Sequence, residues 1–204
     1  MRKEGLKVTC APIPLTSLTA DIAALQQVLE RTNGPAVLAG HAYGGAVIAG
    51  PHDHRVKALV YIAALAPAEG ETVADVFYRD KPHPQAPKLE PDVDGLIWMP
   101  EEGFAHAVAH KASPEQTKVL AAVQRPIAVK CIQETAPVPA WKAKSSWFLL
   151  AEEDRMIAPE TQRYMAERMG AKIRTHHVDH SPMHTAPDAV VGVILEAARE
   201  TLAK

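Results

Sequence analysis

Runs of apolar residues with a strand-like or helix-like period follow one another along most of this chain, and they predict its elements in order. Leu6-Lys7-Val8-Thr9-Cys10-Ala11 predicts a short strand, stopped by Pro12 and Pro14. Thr16, Ser17 and Thr19 offer N-caps for a helix over Asp21 to Arg31, where Ile22, Leu25, Val28 and Leu29 share one face. Asn33-Gly34-Pro35 supplies a glycine C-cap and a proline stop. Ala36-Val37-Leu38-Ala39 is a buried strand that breaks at Gly40-His41-Ala42-Tyr43-Gly44-Gly45 and resumes as a small helix-compatible segment. Pro51 to His54 is a loop, and Lys57 to Ala64 is a second buried strand. Strand, helix, strand, helix, strand is the alternation of a parallel sheet covered on both faces.

The alternation lapses between about Pro67 and Pro139, which hold most of the seventeen prolines. Two amphipathic pieces lie there, Glu101–Lys111 and Pro114–Val123, and the stretch predicts a cap of helices and loops. Its large apolar residues (Phe77, Tyr78, Leu96, Ile97, Trp98, Met99, Phe104) are suited to line an apolar pocket or to form the cap's own core. Alternation then returns with a strand at Ser146–Ala151, a helix from Pro159 to Met169 closed by Gly170, and a strand at Lys172–Val178. A loop follows over Asp179–Pro187, then a final amphipathic helix from Asp188 to Ala203 with Val190, Val191, Ile194 and Leu195 inward. The expected division is a core of residues 1–66 and 141–204 with a cap insertion at 67–140.

Composition narrows the function classes. The 204 residues are 47% hydrophobic, enough for one good core. A formal net charge of −2 with scattered Lys and Arg gives no electrostatic case for nucleic acid or an anionic membrane. No apolar run is long enough to span a bilayer, and Met1–Gly5 leads into no signal-type stretch. Cys10 and Cys131 fit a reducing cytoplasm as free thiols, with one disulfide between them left open. The expected location is cytoplasmic.

The candidate chemistry sits where an open parallel sheet gathers it, beyond the carboxyl ends of the strands. Gly40-His41-Ala42-Tyr43-Gly44 has the spacing of a nucleophile elbow, G-x-S-x-G, with Ala at the nucleophile position. The spacings of the dinucleotide and mononucleotide phosphate loops are absent. Asp154 follows the next-to-last strand and His180 the last, giving the chain order nucleophile position, acid, histidine. In that arrangement His180 Nε2 takes the nucleophile's proton, while Asp154 holds Nδ1–H and stabilises the imidazolium. Taken alone, an acid after a strand is also a common helix cap. A rival reading places a metal on His176, His180 and His184, which would share a helical face, but Pro182 argues against a helix there. His41 is better read as a packed or hydrogen-bonded residue than as an acid–base group. Ser145, Ser146 and Ser181 are weak candidates for a displaced nucleophile, since none sits on a strained turn.

With these residues together, the chain resembles the α/β-hydrolase superfamily, in its branch of small bacterial esterases related to plant methylesterases and hydroxynitrile lyases. The carriers are Pro12–Leu18, Gly40–Gly45, Leu59–Pro67 with Glu69-Gly70-Glu71, Glu153–Ile157 with Gln162-Arg163, and His180–Met183. The resemblance implies an α/β-hydrolase fold with a helical cap. It places the nucleophile position at Ala42, the acid at Asp154, the base at His180 and one oxyanion-hole amide at Tyr43. His41, Trp98, Phe104 and Met183 are expected around the substrate pocket. No cofactor and no metal is implied, and the expected partner is a small, largely apolar ester.

Two departures stand out. Ala42 presents a methyl group where relatives carry a hydroxyl, so no acyl-enzyme can form. The exchange is either a deliberate knockout or the mark of a natural pseudoenzyme. Relatives also begin with a further strand that supplies the second oxyanion amide, and nothing before Leu6 resembles it; the exposed sheet edges would then invite a homo-oligomer. The expected function is a serine-type carboxylic-ester hydrolase represented by a chain that binds esters and turns them over poorly or not at all. The alternatives are a non-catalytic small-molecule-binding pseudohydrolase and a hydroxynitrile-lyase-type enzyme.

Overall fold

A computed structural model describes residues 1–202, so Ala203, the expected end of the last helix, lies outside the described residues. Helix α1 (Leu18–Glu30) starts three residues before the expected point, because Ser17 Oγ accepts the backbone N–H of Ala20 at 3.0 Å and caps it. It ends at Arg31, with Gly34 in the turn beyond at φ 101° and not in the capping position. Strand β1 (Ala36–Ala42) runs into helix α2 (Gly44–Ile48), followed by strand β2 (Val56–Ala64).

The stretch between the two halves of the sheet holds short elements. They are α3 (Val73–Phe77), β3 (Leu96–Ile97), α4 (Glu101–Gly103) continuing into a π turn at Phe104–Val108, α5 (Pro114–Ala122), β4 (Ile127–Ala128) and α6 (Val129–Gln133). Strands β3 and β4 pair antiparallel, Leu96 with Ala128 and Ile97 with Ile127, a pairing too short to leave a periodic signal. The chain then forms β5 (Ser145–Ala151), α7 (Pro159–Arg168), β6 (Lys172–His176), α8 (Pro182–Thr185) and α9 (Pro187–Leu202).

The main sheet has four strands in the order β1-β2-β5-β6, all parallel, with helices on both faces. This is the expected α/β class. Strand β2 explains its uninterrupted apolar sequence: it is buried on both sides. Leu59 and Tyr61 join one cluster with Leu25 and Leu29 of α1 and Met165 of α7, while Ala58, Val60 and Ile62 join a second with Val190, Val193 and Ala197 of α9. The rings of Tyr61 and Phe148 stack across the β2–β5 pair at 5.9 Å.

Four expectations are corrected. Leu6–Ala11 forms no strand; it pairs with no neighbour, and an extended segment without a ladder partner has nothing to hold its backbone groups. Strand β6 stops at His176, where the N–H of Val178 turns back to the His176 carbonyl at 2.9 Å. A single helical turn, α8, does form at Pro182, because proline at the first helical position costs no hydrogen bond. On α9 the inward stripe is Val190, Val193 and Ala197, with Ile194 beside it; Val191 and Leu195 lie one position off that stripe and are half-buried. Cys10 is exposed and Cys131 buried, and both are free thiols. Among the described residues no helix is long and apolar enough to cross a membrane.

Candidate active site

The turn from β1 into α2 is set by two glycines. A Cβ on Gly40 would lie 2.4 Å from the carbonyl oxygen of Gly44, and one on Gly45 would lie 2.4 Å from that of Leu65. Neither position tolerates a side chain without moving backbone. Between them Ala42 takes φ 48°, a left-handed conformation that L-residues rarely adopt. Its carbonyl accepts the N–H of Leu65 at 2.9 Å, which ties the turn to the end of β2. Residue 42 is therefore held in a fixed, strained place at the carboxyl edge of the sheet.

Beyond the end of β5, Asp154 is fully buried and its two oxygens collect four donors. Oδ1 accepts the N–H groups of Met156 (2.7 Å) and Ile157 (2.9 Å). Oδ2 accepts Gln162 Nε2 (2.8 Å) and His180 Nδ1 (2.8 Å). Gln162 is held in turn, its Oε1 accepting the N–H of Ala151 at 3.1 Å and its Nε2 also reaching the Ile157 carbonyl at 3.0 Å. An acceptor so fully supplied is the ionised carboxylate, which fixes the His180 tautomer with the proton on Nδ1.

The loop carrying His180 is braced from three sides. Asp179 Oδ1 accepts Thr185 Oγ1 (2.6 Å) and the N–H of Ser181 (3.2 Å), and its Oδ2 accepts the N–H of Lys111 (3.0 Å) from the stretch between β2 and β5. Lys111 Nζ adds bonds to Glu153 and to the His177 carbonyl, both at 2.7 Å. From β1, His41 Nε2 donates to the His180 carbonyl at 2.6 Å, and the two imidazoles lie 4.6 Å apart. Burial first, and the neighbouring His180 second, hold His41 down at about 3, so it stays neutral.

Ala42 and His180 face one cavity of about 190 Å³. Its walls are almost wholly apolar, with Leu65, Val73, Phe77, Met99 and Ile132 among them, and no Lys, Arg, Asp or Glu lines it. Tyr43 opens α2 and turns its hydroxyl to Asp21 Oδ2 at 2.7 Å; burial and that carboxylate push its ionisation well above the usual range. Asp21 Oδ1 accepts the N–H of Leu15 at 2.8 Å, so this buried acid is satisfied away from the cavity. A larger groove of about 520 Å³ between Glu101 and Lys118 contains none of these residues.

The sequence-predicted residues thus divide. Positions 42, 43, 154 and 180 come together. Phe77, Tyr78, Ile97 and Met99 line the cavity, whereas Trp98, Phe104, Met183 and His41 do not. Trp98 is half-exposed with Nε1 donating to Asp92, Phe104 is buried within the π turn, Met183 packs towards α9, and His41 is spent on the His180 carbonyl. Ser145, Ser146 and Ser181 also lie off the cavity. Among the described residues no three His, Cys, Asp or Glu side chains gather as metal ligands, and His180 Nδ1 is already taken by Asp154. Two supporting residues were given no role at the site by the sequence, Gln162, named there only as a carrier of the resemblance, and Asp179. The available signal was a polar residue on the inward face of a predicted helix, in the case of Gln162, and an acid flanking the histidine in the case of Asp179.

A model of the alpha/beta hydrolase family matches residues 10–193. No curated protein matches the sequence. Among solved structures, a mutant of polyneuridine aldehyde esterase superposes with a TM-score of 0.81 at 15% identity, over 96% of this chain and 89% of its own. Tomato methylketone synthase I, a variant complexed with β-ketoheptanoate, gives 0.79 at 17% identity, over 98% and 90%. The pyrethroid hydrolase of Sphingobium faniae JZ-2 gives 0.73 at 18% identity, over 89% and 77%. At such identities the likeness is one of fold.

Proposed function

The chain belongs to the alpha/beta hydrolase family, and from that premise we propose that it is a serine-type carboxylic-ester hydrolase scaffold for small, apolar, uncharged esters, with its nucleophile position occupied by Ala42. The observation that carries this reading is the relay Gln162–Asp154–His180, which ends at an apolar cavity shared with the strained residue 42. With a serine at 42, His180 Nε2 would take the hydroxyl proton as the oxygen attacks the ester carbonyl. Asp154 would hold the resulting imidazolium in place, and the N–H of Tyr43 would be one donor to the developing oxyanion. His180 would then return the proton to the leaving alcohol, and water would release the acid by the same two steps.

As written, the chain lacks the attacking oxygen, and in a serine hydrolase that loss costs on the order of 10⁶ in turnover. The expected result for Ala42→Ser is a gain of at least about 10³ in hydrolysis of p-nitrophenyl butanoate, abolished again by adding His180→Ala. A revertant as inert as the parent sinks the hydrolase reading. The methyl group at 42 also favours a second reading, a small-molecule-binding protein on a hydrolase scaffold, and the same cavity would serve it.

A further inference from the structure

Resting on the reading of this cavity as the ligand site, we infer that the chain as it stands binds small apolar carboxylic acids in preference to esters, with His180 Nε2 receiving the proton. The argument starts from the tautomer. His180 is 6% exposed, and its Nδ1–H is committed to Asp154 Oδ2 at 2.8 Å. Its Nε2 therefore presents a lone pair, and among the described residues no donor meets it. The methyl group of Ala42 supplies none. Of the polar side chains flanking residue 42, the Tyr43 hydroxyl is spent on Asp21 and His41 Nε2–H on the His180 carbonyl. An occupant that displaces water from this apolar cavity leaves Nε2 without a donor unless it supplies one, so the ligand that completes this site is one that brings a proton.

An ester brings only acceptor oxygens and leaves the lone pair unmet. A carboxylic acid does not. Its O–H bond breaks, the proton forms an N–H bond at Nε2, and the carboxylate stays paired with the imidazolium; no bond to carbon changes. The charge of the site also favours this. Empty, it holds the Asp154 carboxylate and a neutral His180; filled by an acid, it holds two carboxylates and one imidazolium, so its net charge is unchanged. A carboxylate entering without a proton would leave two buried negative charges against no cation, because no Lys or Arg lines the cavity. The other titratable groups near His180 are His41 from β1, kept neutral at about 3, His184 from α8, which acts on His41, and the neighbouring Asp179, whose oxygens accept from Thr185, Ser181 and Lys111. None of the three lines the cavity. The 190 Å³ of the cavity corresponds to roughly six water volumes, room for a chain of about five carbons.

Because acids of this kind are ionised near neutral pH, binding with the proton on Nε2 takes one proton from solvent. Affinity for the acid then falls about tenfold for each pH unit on the alkaline side, while affinity for an ester stays flat. The decisive experiment is calorimetric titration of the chain with pentanoate and with methyl butanoate, which have the same number of heavy atoms, in two buffers of different ionisation enthalpy. The expected result is pentanoate binding at least tenfold tighter, with uptake of close to one proton. Ala42→Ser returns a donor to Nε2 and should weaken pentanoate at least tenfold. Equal or tighter ester binding, acid binding without proton uptake, or an acid affinity untouched by Ala42→Ser each overturns the inference. If the ester binds and the acid does not, this inference alone fails; if neither binds, the cavity reading fails with it.

Discussion

His41 illustrates how one residue links the sheet to the base loop. Its Nε2–H donates to the His180 carbonyl at 2.6 Å, and that bond needs no charge on the ring. Burial and His180 lower it from the usual 6.5 to about 3. A histidine depressed in the folded state binds fewer protons there than in the unfolded chain between those two values. Its contribution is therefore whole above pH 6.5 and is lost as pH falls towards 3. The loss is on the order of 1–3 kcal/mol, since the ring keeps some exposure. In urea titrations the stability of the chain should drop between pH 6.5 and 4 more steeply than that of His41→Gln, which keeps a donor but cannot titrate. Parallel slopes for the two proteins would remove His41 from this role.

At the scale of elements, the β1–α2 turn stores strain that a substitution can release. Ala42 at φ 48° sits where a side chain costs roughly 1–2 kcal/mol relative to glycine, offset in part by the entropy glycine adds to the unfolded chain. Ala42→Gly should raise the urea-derived stability by about 0.5–1 kcal/mol, whereas Gly45→Ala, driven into the Leu65 carbonyl, should lower it sharply. A less stable Ala42→Gly would mean the turn is relaxed. The same turn was legible in the sequence because its constraint is local: glycines at 40 and 45 serve backbone approaches within the motif and to the strand that follows. Asp154 and His180 were legible by chain order at strand ends. What was not legible depends on distant partners. Leu6–Ala11 has strand-like composition but finds no strand to pair with; Phe104 and Met183 are apolar for local packing, Trp98 stays half-exposed, and none of the three lines the cavity. Gln162 reads as one more polar helix residue until Asp154 and Ala151 are seen to flank it.

The whole molecule is asymmetric about its sheet. Strands β2 and β5 bond to neighbours on both sides and are buried on both faces, so their amides open only with the core. Strands β1 and β6 are the edges, each with one neighbour, and β1 carries no proline and no Lys, Arg, Asp or Glu along Ala36–Ala42 to discourage pairing. The site spans this contrast: residue 42 and His41 stand at the end of an edge strand, Asp154 follows an inner one, and His180 follows the other edge. Amide hydrogen exchange should be slowest in Leu59–Ile62 and Trp147–Leu150, and faster by orders of magnitude in alternate residues of β1 and β6. Uniform protection across all four strands at low protein concentration would contradict the edge position of β1. Protection of β1 that rises with protein concentration would instead mean that a second copy pairs along it, placing residue 42 next to an interface.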